Sequence, residues 1–425
     1  MRNFLLFLIF LCANSVFFLV PGTHIKGVFR VSDIGLALVL GMLVYYLSKE
    51  RRPGIIFNKI GLMIFFYLFM VLMHIAVVSI NYNQSVGSSF IAARHQLYYL
   101  SYFVFLLALN TEVKAESFMR LMTIVAIGVF ILSIINYFGF TLFYHEQWSE
   151  GHGSRSGIKR AYIPGMEVIG MAFFWQLSKF IVEPRRNVSN ALYALLLFSA
   201  ILFRQTRGRI VTHAATAGWM MIREKKFLLF GLSGGAVLFL GMAFTLVGGQ
   251  DLVTSSVGSV VEEVSSGEGT WGARLVTLQT SLEIFREHPL IGGGTHLIRQ
   301  SVGFASSGML QAAYQGDLGY PHWLKNYGLL GVIWLIAIMA MTFSALKKRI
   351  QSEPSNALTL FSRYQFVQII IGGMTINYWL TKEGVLLVCL VLALATRQST
   401  SRAAVNHKSG LGQFHMRSLG EGKRD

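Results

Sequence analysis

The sequence predicts an all-α protein that crosses a membrane about twelve times. Hydrophobic residues make up 53% of its 425 residues, and charged residues make up only 13%. A soluble globular protein carries about 25% charged residues, roughly twice this share. The apolar residues also fall in long blocks, as expected for helices that each need about 20 mostly apolar residues to cross a bilayer. Together these observations exclude a soluble multidomain enzyme.

The apolar blocks define twelve predicted spans. The run at 209–222 is the most polar of them because it holds Thr212, His213 and Thr216, and the run at 384–396 is short. In chain order the spans are 3–20, 33–48, 60–79, 90–109, 118–138, 164–182, 190–205, 209–222, 227–248, 327–346, 361–380 and 384–396.

The order of the spans divides the chain into four parts. Residues 1–248 hold the first nine helices, and residues 327–396 hold the last three. Between them, residues 249–326 form a long loop rich in Gly and Ser, in which we expect short helices. Residues 397–425 are polar and basic without an apolar period, which is typical of a disordered tail.

Positive charge predicts the orientation, because Lys and Arg accumulate in the cytoplasmic loops of membrane proteins. With the N-terminus inside, the cytoplasmic loops at 49–59 and 223–226 are rich in Lys and Arg, whereas the outer loop at 80–89 has none. Both termini are therefore predicted to be cytoplasmic, and the loop at 249–326 is predicted to lie outside. The same rule explains much of the net charge of +17, so nucleic-acid binding is not expected.

Three clusters of basic residues lie on the outer face, where the orientation rule disfavours them. An anionic ligand handled on that face would explain them, whereas ordinary solvated loop charge is the alternative for residues such as Arg286 and Arg299. The clusters are Arg155, Lys159 and Arg160; Arg204, Arg207 and Arg209; and Arg274, Arg286, Arg299 and Lys325.

The turn at 203–209 carries three of these arginines between two apolar runs, near the depth of a lipid headgroup. The planar guanidinium fork binds phosphate oxygens in pairs and stays charged when partly desolvated. Ionisable residues at this depth are costly and mostly functional. We therefore favour a phosphate site at this turn over the alternative, in which the arginines only anchor helix ends at the interface.

Part of the long outer loop is predicted to be helical. Apolar residues recur there at helical spacing and form one stripe of Leu275, Leu278, Leu282 and Phe285. Arg274 is expected at the start of this helix, where free backbone N–H groups already favour an anion. Pro289 and the glycines at 292–294 are expected to end the helix.

Four short stretches resemble the bacterial O-antigen ligase and polymerase superfamily, and the ligases more closely. They are similar to a polar patch in the fourth span, an arginine motif at the outer end of a span, a loop signature R…P-L-x-G-x-G, and a histidine segment that enters a span through G-L-x-G. In this chain they are Arg94-His95-Gln96-Leu97-Tyr98; Gln205-Thr206-Arg207; Gly272-Ala273-Arg274-Leu275 with Glu283-Ile284-Phe285 and Pro289-Leu290-Ile291-Gly292; and Pro321-His322 with Tyr327-Gly328-Leu329-Leu330-Gly331. Twelve spans with the large loop between the ninth and the tenth also resemble the ligase layout.

The resemblance implies a GT-C-like, metal-independent, inverting glycosyltransferase of the bacterial inner membrane that acts in lipopolysaccharide biosynthesis without a cofactor. The donor would be a polysaccharide on undecaprenyl pyrophosphate, and the acceptor would be a sugar hydroxyl of the lipid A–core, both reached from the surrounding membrane lipids. Arg207 and Arg274 would clamp the leaving pyrophosphate, and His322 would take the acceptor's proton. Further contacts to the pyrophosphate or glycan would come from Arg209, Arg94, Lys159 and Arg160.

The implied chemistry agrees with these residue types. A cationic clamp stabilises the charge that develops on a leaving pyrophosphate, and a neutral histidine is a suitable base near pH 7. No Asp/Glu cluster with metal-ligand spacing is evident in the sequence. Trp323 follows His322 where the family usually has Asn, so His296, His288 and His152 stay as alternative bases.

Two other functions stay open at this point. The related polymerase would extend a glycan on the same lipid carrier, and the motifs barely separate it from the ligase. A transporter or flippase would place ionisable residues near the middle of spans in both halves of the chain. The spans hold only a few such residues, namely Arg94, Glu167, Lys179 and Arg363.

Overall fold

The computed structural model describes most of the predicted spans and part of the long outer loop. The described residues are 2–14, 24–25, 29–49, 56–81, 83–137, 154–155, 158–159, 163–184, 186–204, 206–226, 269–295 and 318–397. The predicted ninth span at 227–248 and the tail beyond Arg397 lie outside these residues.

Regular structure in the described residues is almost entirely helical, which confirms the predicted helical class. The helices are α1 (Arg2–Ala13), α2 (Val31–Lys49), α3 (Lys59–Asn81), α4 (Val86–Ala93), a 3₁₀ helix (Arg94–Leu100), α5 (Ser101–Ala108), α6 (Glu112–Tyr137), α7 (Met166–Val182), α8 (Val188–Phe203), α9 (Arg207–Arg223), α10 (Gly269–Glu287), α11 (Gly319–Ser352), α12 (Ala357–Gly372) and α13 (Lys382–Thr396).

Two antiparallel pairs of very short strands interrupt this helical pattern. Strand β1 (His24–Ile25) pairs with β2 (Phe29–Arg30), and β3 (Ser154–Arg155) pairs with β4 (Ile158–Lys159). Each pair is a small hairpin of two-residue strands and forms no larger sheet within the described residues.

Four described helices are long and apolar enough to cross a membrane, and this supports a membrane-embedded protein. They are Val31–Lys49, Lys59–Ile80, Glu112–Ile135 and Gly319–Ser352. Large apolar side chains such as Phe69 and Leu72 on α3 are exposed, as expected for a helix side that faces lipid tails. Shorter helices lie at the other predicted span positions that the structure describes, so the count of twelve stays a prediction.

The predicted fourth span at 90–109 is not one continuous α-helix, because its middle is the 3₁₀ helix. Side chains of this segment bond to the backbone of neighbouring elements. The Tyr98 hydroxyl donates to the Ser32 carbonyl at 2.5 Å, and the Tyr99 hydroxyl donates to the Trp379 carbonyl at 3.0 Å. These hydrogen bonds hold the 3₁₀ segment against its neighbours, and a pattern of apolar residues does not reveal its tighter winding.

Helix α13 lies at the centre of the described bundle. Its residues from Val385 to Ala395 are all buried, as expected for a helix that is apolar all round. It packs against α5, α7, α11, α12 and the 3₁₀ helix. The apolar run that is short for a span is therefore a core helix surrounded by other helices.

Helix α11 is longer than predicted and is bent at Gly328. It begins at Gly319 rather than at 327, and Gly328 has φ 59° and ψ −157°, which are not helical angles. The bend separates a short first segment at 319–327 from the apolar segment that follows. Sequence hydropathy identified only the apolar segment, because the first segment holds polar and charged residues.

Candidate active site

Helix α10 corresponds to the helix predicted in the outer loop, and it ends where the sequence indicates. Pro289 follows closely after its last residue, Glu287, and Gly292 turns the chain with a φ of 72°. The expected position of Arg274 is wrong in one respect. The helix begins at Gly269, so Arg274 lies in the second turn and not at the N-terminus.

Helix α10 packs against α11, and two of its polar residues are buried. Thr277 and Ser281 are buried one turn apart, and Arg274 precedes Thr277 by three residues, which places it on the same side. The predicted apolar stripe lies on another side, since Leu275 and Leu282 are 40% and 37% exposed. The half-buried Arg274 is thus on the same side of α10 as the two buried polar residues.

The glycine-rich turn after α10 is hydrogen-bonded to the bend of α11. Four backbone hydrogen bonds of 2.8–3.0 Å join the two segments, with donors on both sides. They run from Gly293 N to Lys325 O, Gly294 N to Asn326 O, Leu329 N to Pro289 O and Leu330 N to Leu290 O. Two of the stretches that carry the family resemblance therefore form one backbone-bonded unit.

Glycine is required on both sides of this unit. Gly292 and Gly328 have φ values of 72° and 59°, in the left-handed region that favours glycine. A Cβ on Gly292 would lie 2.5 Å from the carbonyl carbon of Asn326, and a Cβ on Gly328 would lie 2.6 Å from the nitrogen of Gly292. The two segments approach each other too closely for any side chain at these positions.

His322 lies in the first turn of α11, and the turn between α12 and α13 holds that end of the helix. The Tyr320 N–H donates to the Gly373 carbonyl at 3.0 Å, and the Tyr320 hydroxyl donates to the Ile370 carbonyl at 2.8 Å. His322 itself is half-buried. The position of the proposed base thus depends on the residues at 373–376.

The start of α9 contacts the same turn. A Cβ built on Gly208 would lie only 3.0 Å from the Oγ1 of Thr375, so the two residues are in close contact. Arg207, the first residue of α9, precedes Gly208, and its side chain lies outside the described part of the chain. Free N–H groups at a helix start favour an anion. The sequence predicted an arginine at a helix start for Arg274, whereas the structure places Arg207 at such a start.

The other two arginines of this turn are bound within the protein. Arg209 Nη2 lies 2.5 Å from Glu167 Oε1, with side chains that are 12% and 9% exposed. Arg204 Nη1 donates to the Ile163 carbonyl at 2.8 Å. The buried ion pair joins the start of α9 to the start of α7, so Arg209 fixes the position of α9. A contact between Arg209 and the donor stays a prediction.

The remaining predicted donor contacts are not brought together here. Arg94 Nε lies 3.2 Å from Asp33 Oδ1 on α2, in an ion pair that sequence reasoning missed. Lys159 lies in β4, where its backbone is opposite Ser154 in β3. Arg160 lies outside the described residues.

Of the three histidines that stay as alternative bases, one lies within the residues that the structure describes. His288 directly follows α10, and its carbonyl accepts a hydrogen bond from the Gly292 N–H at 2.8 Å. It is therefore part of the same glycine-rich turn. His296 and His152 lie outside the described residues.

A buried chain of polar groups beneath the site was not predicted. The Tyr67 hydroxyl donates to Gln96 Oε1 at 2.7 Å and lies 2.9 Å from the Tyr327 hydroxyl. Gln96 Nε2 in turn donates to the Leu380 carbonyl at 3.0 Å. The chain connects α3, the 3₁₀ helix, the bend of α11 and the residues before α13. The polar patch at 94–98 indicated in the sequence that Gln96 is a candidate for such a chain. Tyr67 lies within an apolar span, and nothing in the sequence indicated its role.

Trp323 belongs to an aromatic cluster in the core. Its ring is stacked on Tyr67 and Trp334, at centroid distances of 5.4 and 5.5 Å. A large aromatic residue that is only 1% exposed contributes strongly to packing. The residue that stands where the family usually has Asn therefore anchors the first segment of α11 to α3.

No family model matches this chain. No curated protein matches it either. Within the described residues, no group of three or more His, Cys, Asp or Glu side chains is placed to hold a metal ion. The family resemblance rests on the sequence motifs alone.

Replacing Glu167 by glutamine is expected to lower the free energy of unfolding by about 3–5 kcal/mol, because Arg209 keeps a buried charge without its partner. Thermal unfolding of the purified protein in detergent measures the loss. Glu116→Gln is the matched control, since Glu116 pairs with Arg120 in an exposed pair at 3.4 Å within one helix. Such a pair contributes about 0.3–0.5 kcal/mol. Equal melting temperatures for the two variants would contradict a structural role for the buried pair.

Proposed function

We propose that the chain is an O-antigen ligase, which transfers a polysaccharide from undecaprenyl pyrophosphate to a sugar hydroxyl of the lipid A–core. The observation that carries the proposal is the convergence of stretches that are far apart in the sequence. The glycine-rich turn at 289–294 is hydrogen-bonded to the bend of α11, and the starts of α9 and α11 meet at the turn 373–376. These stretches are the ones on which the family resemblance rests.

Each converging stretch supplies a group suited to glycosyl transfer from a diphosphate. Arg274 and Arg207 supply positive charge for the leaving pyrophosphate. His322 takes the proton of the acceptor hydroxyl as its oxygen attacks the anomeric carbon, and the bond from that carbon to the pyrophosphate oxygen breaks. Attack from the side opposite the leaving group inverts the anomeric configuration. The scheme uses only side chains of this chain.

The proposed enzyme spans the bacterial inner membrane twelve times, in a GT-C-like arrangement with both termini in the cytoplasm. The four long apolar helices support a membrane location. The proposed site then lies at the periplasmic ends of α9 and α11, together with the loop at 249–326. Both substrates are lipid-linked, so they reach this level by diffusion in the membrane.

Reconstitution of the purified protein tests the proposal directly. Nanodiscs would receive a polysaccharide on undecaprenyl pyrophosphate together with lipid A–core, and gel analysis would follow the glycan. Glycan on lipid A–core with release of undecaprenyl pyrophosphate is the expected result. Longer glycans on the carrier would instead assign a polymerase. In sealed proteoliposomes, movement of lipid across the bilayer without any transfer would assign a transporter or flippase.

The orientation gives a second test of the same proposal. A cysteine introduced at Ser266, in the loop at 249–326, is expected to react with an impermeant thiol reagent in intact spheroplasts, because the charge pattern places this loop outside. A cysteine at Glu50, in the loop at 49–59, is the control and should react only after lysis. The native Cys12 and Cys389 are buried, so they add little background. The reverse labelling pattern would exclude a periplasmic site.

A further inference from the structure

Lys325 is a buried cation without a partner in the described part of the chain. The residue is only 7% exposed, although lysine is almost never so buried unless it is paired. Its carbonyl accepts the hydrogen bond from Gly293, but no hydrogen bond or ion pair joins its ammonium to any described residue. A buried charge in this state is costly, so a compensating group is expected.

The position of Lys325 connects it to the proposed site. It lies on the first segment of α11, three residues after His322, and this spacing places the two side chains on neighbouring positions of one helix side. Helix α11 packs against α10, which carries the half-buried Arg274. The glycine-rich turn covers the next residues of the segment through its backbone hydrogen bonds.

None of the charged groups that the structure describes neutralises Lys325. The described ion pairs lie elsewhere, at the start of α9, between α2 and the 3₁₀ helix, and near the far end of α11. Arg274 on α10 adds positive charge to the same region. An anion is the missing partner that fits, and a diphosphate is the one that the proposed reaction supplies.

We propose that Lys325 binds the diphosphate of the lipid-linked donor, alongside Arg274. The inference rests on the proposed function and adds a binding residue to that site. Lysine acts on phosphate as a compact point charge with three donors, whereas arginine binds it through a planar fork. A charge-assisted hydrogen bond contributes about 1.5–3 kcal/mol, which corresponds to a change of roughly 10–100-fold in affinity.

The test measures diphosphate binding rather than transfer. Wild type, Lys325→Met and Lys325→Arg are placed in phosphatidylcholine nanodiscs, and binding of undecaprenyl pyrophosphate is measured with and without inorganic pyrophosphate as competitor. Lys325→Met should bind at least about tenfold more weakly, and Lys325→Arg should retain much of the affinity. Lys347→Met, at the exposed opposite end of the same helix, is the matched control and should bind like the wild type.

Thermal unfolding separates a binding role from a structural one. Lys325→Met removes an unpaired buried charge, so its melting temperature should equal or exceed that of the wild type. Wild-type affinity in Lys325→Met would overturn the proposal, and so would a melting temperature well below that of the wild type. A loss confined to inorganic pyrophosphate would also overturn it, because the ligand would then be a free anion. If the wild type binds the lipid-linked diphosphate but transfers no glycan, the ligase proposal fails while this inference stands.

Discussion

His322→Ala is expected to lower glycan transfer by about two to four orders of magnitude, because this is the typical loss when a general base is removed. Binding of undecaprenyl pyrophosphate should stay close to that of the wild type, since the proposed function assigns donor binding to cations on α9, α10 and α11. Single-turnover transfer and donor binding, measured on the same nanodisc preparation, distinguish the two effects.

Two companion variants make this test specific. Arg274→Ala should weaken donor binding as well as transfer, because a clamp acts on both. Arg286→Ala, on the exposed side of the same helix, should leave both unchanged. Near-normal transfer by His322→Ala would show that the base lies elsewhere, and His296 would then be the next residue to replace.

Gly292→Ala is expected to disrupt the site through the backbone alone. A residue with a Cβ in the left-handed region costs about 1–3 kcal/mol. In addition, the new Cβ would lie 2.5 Å from the carbonyl carbon and oxygen of Asn326, so the turn has to move away from α11. The four backbone hydrogen bonds would then be lost or weakened, and each contributes about 1 kcal/mol. Lower thermal stability and loss of transfer are both expected.

Gly128→Ala is the control for this variant. Gly128 lies within α6, and a Cβ there would meet no other atom within 4 Å. Alanine in a helix interior is favoured over glycine by about 0.5–1 kcal/mol, so this change should stabilise the protein slightly. Similar melting temperatures for the two alanine variants would mean that the glycine-rich turn is not held against α11.

Local sequence signals predicted the elements of the site but not their partners. Apolar spacing predicted the helix at α10, and Pro289 with the following glycines predicted its end. The same spacing does not tell which residues of α10 are buried, because an apolar stripe beside a membrane can face lipid as well as protein. The buried residues of α10 that the structure describes are Thr277 and Ser281, and no local rule marks two small polar residues as buried.

Charge counting identified the arginines but could not tell ligand-binding residues from internally paired ones. Arg209 and Arg94 are matched by Glu167 and Asp33, which come from other helices. Such pairs depend on helix packing, which hydropathy does not determine. Conversely, Lys325 was predicted as a member of an outer-face cluster of cations, and no sequence signal indicated that it is buried.

The bend in α11 also constrains how the chain is built into the membrane. The amides of Leu329 and Leu330 bond to the carbonyls of Pro289 and Leu290, and an amide left unpaired in lipid costs several kcal/mol. Residues 289–290 are translated before α11, so these acceptors have left the ribosome when the bend enters the translocon. The acceptor carbonyls are therefore synthesised before the amides that need them as partners. A circularly permuted chain with α10 after α11 would reverse that order, and it should insert poorly even though every final contact is still possible.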